Sequence, residues 1–187
     1  MQVLSTYDKL LRTYHQGTIA GHNVVLATSG VGKVRAAART QFLIDRFDIE
    51  KLIFLGVAGA INPELRQGDV VISQRAIQHD YGLGNGSLPD QNRNYWYYAD
   101  PGLVDLAMQA GQRLGMEKYL HQGSILSGDL PVNNPKRKQE LWHTFGGDCV
   151  EMEGAAVGMV CWMNRVPFVL VRGISDLADR PPLPELR

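Results

Sequence analysis

The stretch VPFVLVRGISD, from Val166 to Asp176, restricts the fold more than any other segment of this chain. Its apolar residues do not alternate with polar ones. A strand of that kind is buried on both faces, which requires a sheet covered on both sides. Such sheets belong to layered α/β folds, in which strands alternate with helices. The rest of the chain obeys that alternation. HNVVLATSG reads as a buried strand ending at Gly30, and VGKVRAAARTQFLIDRF carries apolar residues at helical spacing. KLIFLGVAGA reads as a second buried strand running into a glycine turn, and GDVVISQ as a third. PGLVDLAMQAGQRLGM opens on proline, the residue favoured at a helix start. HQGSILSGD and GGDCVEME read as short strands, and PKRKQELWHTF and GAAVGMVCWMNR as helices. Residues 80–98 show no periodicity and read as a long loop. The opening MQVLSTYDKLLRTYHQ places Asp8 in a helix-like stretch, and LADRPPLPELR is a proline-rich end.

At 187 residues the chain suits one domain, 1–187. Its formal net charge is zero, so it offers no electrostatic footprint for nucleic acid or an anionic membrane. No apolar run is long enough to cross a bilayer, and the first residues lack a secretory pattern, which makes the cytoplasm the expected location. Cys149 and Cys161, the only cysteines, are expected as buried thiols.

In layered α/β folds, ligands sit beyond the carboxyl ends of the strands. The strand ends here carry SGVG, GVAGA, LSGD, VEME and RGISD. Ser29–Lys33 is open to two readings, a tight strand-to-helix turn or a backbone cradle for an anion. It has neither the spacing of a Walker loop nor the dinucleotide fingerprint. The small residues of Gly56–Ala60 suit either a close strand–helix crossing or the approach of a flat ligand. Arg172, Ser175, Asp176 and Asp179 follow the most apolar strand, where desolvation raises a carboxyl's pKa and suits it to act as a general acid. Ser175 or Asp176 as a helix cap is the alternative. His79 and Asp80 stand together at a loop start with no metal-ligand spacing around them. Tyr95, Trp96, Tyr97 and Tyr98 suit stacking on a base or an apolar subunit interface.

SGVGKVRAA, GVAGA, GDVVIS followed by QHD, LSGD, VEMEGAAVG and VPFVLVRGISDLAD occur in that order and spacing. Together they resemble the nucleoside phosphorylase/nucleosidase superfamily, and most closely its 5′-methylthioadenosine/S-adenosylhomocysteine nucleosidases. The resemblance spans about His15 to Asp179. It implies a three-layer α/β/α fold around a central mixed, twisted sheet, and hydrolysis of an adenine nucleoside's N-glycosidic bond. Asp176 would donate a proton to N7 of adenine, supported by Ser175 and Arg172. Glu153 would accept from the ribose hydroxyls, with Glu151 beside it and Met152 packing under the sugar. Val132 would present backbone groups to the adenine edge, Ala58 and Gly59 would line the ribose and base, and His79 would reach the substrate tail in a dimer partner. No cofactor or metal is implied, and the expected assembly is a homodimer.

Phosphorylases of this superfamily typically carry an arginine just before the glycine turn of the second strand. Phe54 and Leu55 stand there in this chain, so water is the expected acceptor, with phosphorolysis the alternative. Arg35 and Arg39 on the preceding helix read as surface charges. Four departures from the family pattern stand out. Residues 1–25 hold no strand bearing the water-orienting glutamate, and no long amphipathic helix follows Asp179. Pro131 stands where an aromatic residue often stacks on the base, and Val57 replaces a frequent Ser or Thr. The domain is therefore expected to be truncated at both ends relative to the family, and a catalytically impaired nucleoside-binding relative is a further alternative.

Overall fold

The computed structural model describes residues 1–81 and 95–179. It begins with three antiparallel strands, β1 (Gln2–Lys9), β2 (Arg12–Ile19) and β3 (His22–Leu26). The helix-like reading of the first residues is therefore corrected: Asp8 lies on β1, opposite Thr13 of β2. Two-residue turns join the strands, with positive φ at Leu10 and Leu11 and at Ala20 and Gly21, the backbone demanded by tight hairpins. Leu-Leu is an atypical pair for such a turn, and it disguised the hairpin as an amphipathic helix. β3 is also not a strand buried in the main sheet. It pairs with β2 alone and is at most half-buried. The meander docks through aromatic rings: Tyr14 is fully buried and meets Phe42 at 4.9 Å, while Tyr7 stacks on Phe42 at 5.7 Å.

The remaining strands are β4 (Leu52–Ala60), β5 (Val70–Gln78), β6 (Tyr97–Tyr98), β7 (Leu120–Ser127), β8 (Cys149–Glu151) and β9 (Phe168–Asp176). They form a mixed sheet in the order β6-β5-β7-β8-β4-β9. β9 also pairs antiparallel with β5, through Val70–Ile72 and Val171–Gly173, so five strands close into a ring. The helices are α1 (Lys33–Phe47), α2 (Pro101–Arg113), α3 (Pro135–Phe145) and α4 (Gly154–Asn164). Asp100 and Asn134 cap α2 and α3, each with proline in the first turn. One apolar cluster joins Ala36, Leu103, Val104, Ala155, Val157 and Cys161 of α1, α2 and α4 to the strands. A second packs Leu141 and Phe145 of α3 on Ile77, Leu126 and Val150. The expected fold class, helices around a central mixed sheet, is found.

Two further readings are corrected. Tyr97 and Tyr98 leave the long loop to pair with Arg75 and Ala76 of β5, while residues 82–94 lie outside the described residues. β4 is not buried throughout, because Ile53, Leu55 and Val57 are exposed. Both cysteines are free and buried, and burial pushes the Cys161 thiol up to about 12.

Candidate active site

Strand register brings the predicted residues to one end of the sheet. Gly59 of β4 lies beside Asp176 of β9 on one side and Val150 of β8 on the other. Across β8, Glu151 pairs with Ser127 of β7, and Ser127 with Gln78 of β5. Residues from five strand ends therefore border one region.

Asp176 is held from two sides. Ser175 Oγ donates to its Oδ2 at 2.7 Å and the Ala178 N–H to its Oδ1 at 2.8 Å. Ser175 Oγ also reaches Ala58 O at 3.3 Å. Glycine is required next door, since a Cβ on Gly59 would lie 2.8 Å from Asp176 Oδ1. One expectation is overturned: Asp176 and Ser175 are exposed at the strand end, not desolvated within it.

The two glutamates part company where β8 ends. Glu151 is buried and accepts from the N–H groups of Glu153 (3.1 Å) and Gly154 (2.7 Å), from Ser127 Oγ, and from Arg172 Nη2 (2.9 Å). It thereby satisfies the orphan N–H groups at the start of α4, a helix with no side-chain cap from Glu153 itself. Arg172, 1% exposed, also donates to Phe54 O at 3.0 Å, and its guanidinium lies 4.3 Å from the Phe54 ring. Glu151 and Arg172 are consequently internal partners of each other. Ser127, which also accepts from the Ala155 N–H at 2.7 Å, completes this group.

Glu153 begins α4 and is half-buried, as is Met152. Its Oε1 accepts from the Gly32 N–H at 2.6 Å. Burial raises its carboxyl above the usual glutamate range; the Gly32 hydrogen bond opposes this and neighbouring Glu151 adds to it. Val132 is half-buried against the α3 cluster, with Tyr95 and Trp96. Ala58 and Gly59 are buried. His79 does not reach outwards. It is 3% exposed, its backbone N–H donates to Ser127 O at 3.0 Å, and its Nε2 lies against Gly128 with no hydrogen-bond partner among the described residues. Burial takes its imidazole well below the usual value, to about 4.

Lys33, Asp80 and Asp129 also meet at this end, a group that no spacing rule pairs because Lys33 starts α1 while Asp80 and Asp129 follow β5 and β7. Lys33 Nζ lies 2.6 Å from Asp80 Oδ1 and 3.2 Å from Asp129 Oδ2. Arg39 is not a surface charge: it is buried and donates to Ser29 O and, at 3.1 Å, to Leu10 O. Among the described residues, no three His, Cys, Asp or Glu side chains gather as a metal site.

The sequence pattern of the phosphorylase superfamily matches residues 5–185. A 5′-methylthioadenosine/S-adenosylhomocysteine nucleosidase of Mycobacterium bovis is 34% identical, over 88% of this chain and 74% of the relative. The structure of a Helicobacter pylori MTAN mutant with 5′-methylthioadenosine in the active site superposes with a TM-score of 0.85 at 30% identity, covering 94% of this chain and 76% of that one. The native futalosine hydrolase of the same organism gives 0.86 at 30% identity, over 95% and 76%. The strand-end carboxylates and the closed mixed sheet thus sit in a chain that belongs to the phosphorylase superfamily.

Proposed function

We propose that the chain is a purine nucleosidase that hydrolyses the N-glycosidic bond of 5′-methylthioadenosine or S-adenosylhomocysteine, releasing adenine. The observation that carries this reading is the pair of carboxylates anchored past the ends of β9 and β8, on either side of β4: Asp176 by Ser175 and Ala178, and Glu153 by Gly32. Cleavage of the bond develops positive charge on the sugar and negative charge on the departing base. Asp176 passes a proton to N7, so the base leaves neutral. Ser175 and the Ala178 N–H fix which way that carboxyl points. Glu153 accepts from the ribose hydroxyls, which positions the sugar and favours its developing cation. Met152 packs under the sugar, Val132 offers backbone groups to the base, and Ala58 and Gly59 leave room for both.

Water as acceptor is supported by the state of the cations at these strand ends. Arg172 is committed to Glu151, Lys33 to Asp80 and Asp129, and Arg39 to backbone carbonyls. None of these three stands ready for a phosphate dianion. A homodimer accompanies this reading, and the exposed side chains of Tyr98, Trp162 and Met163 supply an apolar surface for it. A cytoplasmic location accompanies it as well.

A product assay tests the reaction. The chain is incubated with 5′-methylthioadenosine, S-adenosylhomocysteine, futalosine and inosine, with and without phosphate, and the free base is measured. Adenine release that is indifferent to phosphate is expected, and a strict phosphate requirement refutes hydrolysis. The Asp176→Asn variant should lose about a hundredfold to ten-thousandfold of rate, the contribution of a placed general acid.

A further inference from the structure

We propose that Lys33 is a positioning residue that sets the orientation of Glu153 through the Ser29–Lys33 loop. The inference rests on the nucleosidase reading for its consequence, since Glu153 is there the ribose-gripping group.

The geometry is specific. The only hydrogen bond the loop sends to Glu153 comes from a backbone group, the Gly32 N–H, at 2.6 Å and across 121 positions of sequence. A backbone donor cannot be aimed by its own side chain; the loop that bears it must be pinned. Gly32 takes φ 97° and ψ 150°, open to glycine and strained for other residues, and α1 begins there with no side-chain cap. Intrinsic helix capping therefore does not hold the loop. Two tethers do. On one side Arg39 reaches back from α1 to Ser29 O and Leu10 O. On the other, Lys33 crosses to Asp80 and Asp129, and the Asp129 N–H donates to Asp80 Oδ2 at 2.6 Å, which locks the loops after β5 and β7 to each other. The Lys33 side chain is 13% exposed and that of Asp80 26%, so solvent screens this contact less than a surface ion pair. Lys33, at the start of α1, thus ties the residue beside Gly32, whose N–H donates to Glu153 Oε1, to the loops that follow β5 and β7. The Lys33 cation is held by two carboxylates, and the backbone donor of SGVGK is turned to the protein's own Glu153.

Two measurements test this. The first is cleavage of 5′-methylthioadenosine against its 2′-deoxy analogue. The unaltered chain should prefer the ribonucleoside, and Lys33→Met should lose about tenfold or more of that preference, the worth of a charge-assisted hydrogen bond. Lys33→Arg should restore most of it. In a Glu153→Gln background, Lys33→Met should add no further loss of preference. An unchanged preference in Lys33→Met, or an equal loss on both substrates, overturns the inference. The second needs no turnover. The Gly32 amide proton shift should follow the ionisation of Glu153 in the unaltered chain, lose that response in Glu153→Gln, and lose most of it in Lys33→Met. A full response in Lys33→Met also overturns the inference. A chain that cleaves neither nucleoside while Gly32 still reports Glu153 sinks the nucleosidase reading and leaves the loop coupling standing. Should Lys33→Met fail to fold, Asp129→Asn, at a two-thirds exposed side chain, carries both measurements with a smaller loss expected.

Discussion

Burial decides what each ionisable side chain at the strand ends can do. The Glu151 carboxylate and the Arg172 guanidinium are both inside the protein; Glu151 accepts from Arg172 and from the Gly154 N–H, and Arg172 also donates to Phe54 O. Removing one partner of such a pair costs about 3–5 kcal/mol, because the other is left charged and buried. His79 shows the opposite solution, a buried imidazole kept neutral. Its folded pKa lies at about 4, with burial lowering it most, Asp80 opposing, and Arg137 and Lys33 adding to the shift; the unfolded imidazole titrates near 6.5. Between those values the unfolded chain binds more protons than the folded one, so stability falls as pH drops from about 6.5 to 4, by on the order of 3 kcal/mol, and loses nothing further from this group below that range. Urea titrations at pH 7 and pH 4 check this: His79→Asn should show a smaller difference between the two than the unaltered chain. At this scale the sequence made the candidates visible but not their partners. Strand alternation alone would put Glu151 and Glu153 on the same side; the strand ends at Glu151, the chain turns into α4, and Glu153 faces the Gly32 loop. Nothing in LSGD or QHD announces that Ser127 holds Glu151 or that Asp80 holds Lys33, because those contacts depend on tertiary register.

Elements with long, consistent patterns were legible: β9, α2, α3 and α4 lie where apolar runs, prolines and cap residues put them. The first hairpin was not, since Leu10 and Leu11 occupy a turn that usually asks for Asn-Gly, and a Tyr-Leu-Leu-Tyr pattern mimics a helical stripe. Register between β4 and β9 then does what no single element can, placing Gly59 against Asp176. A methyl group at Gly59 would approach Asp176 Oδ1 to 2.8 Å and Ala178 Cβ to 3.0 Å. Gly59→Ala should therefore displace the acid before it disturbs the fold. The expected outcome is a fall in kcat of about ten- to hundredfold, the scale set by misplacing a reacting group, with a stability loss of only about 1–3 kcal/mol. Steady-state kinetics on 5′-methylthioadenosine beside thermal unfolding separates the two. An equal fall in both would mean that Gly59 serves packing alone.

The whole molecule is governed by closure. The pairing of β5 with β9 joins strands about a hundred residues apart in sequence, and it was invisible to local patterns, which could announce an α/β alternation but not a ring. Closure leaves β4 incompletely partnered. Among the described residues, β4 pairs with β9 from Leu52 to Gly59 but with β8 only at Gly59 and Ala60, so its other edge is open from Leu52 to Ala58. Ile53, Leu55 and Val57 project along that stretch at 62%, 68% and 67% exposure. An open edge that carries a row of apolar side chains offers both backbone hydrogen bonds and apolar area to another strand, the combination that natural sheets blunt with lysine or proline. The 187-residue chain should accordingly self-associate as its concentration rises. Leu55→Lys should suppress this, since a charge in the middle of the row opposes pairing. Its side chain is already two-thirds in solvent, so the unfolding free energy should stay within about 0.5 kcal/mol. Light scattering across a concentration series, read beside urea unfolding, tests the argument. Association unchanged by Leu55→Lys would show that another surface, such as that of Trp162 and Met163, drives it; suppression with unchanged stability locates it on β4.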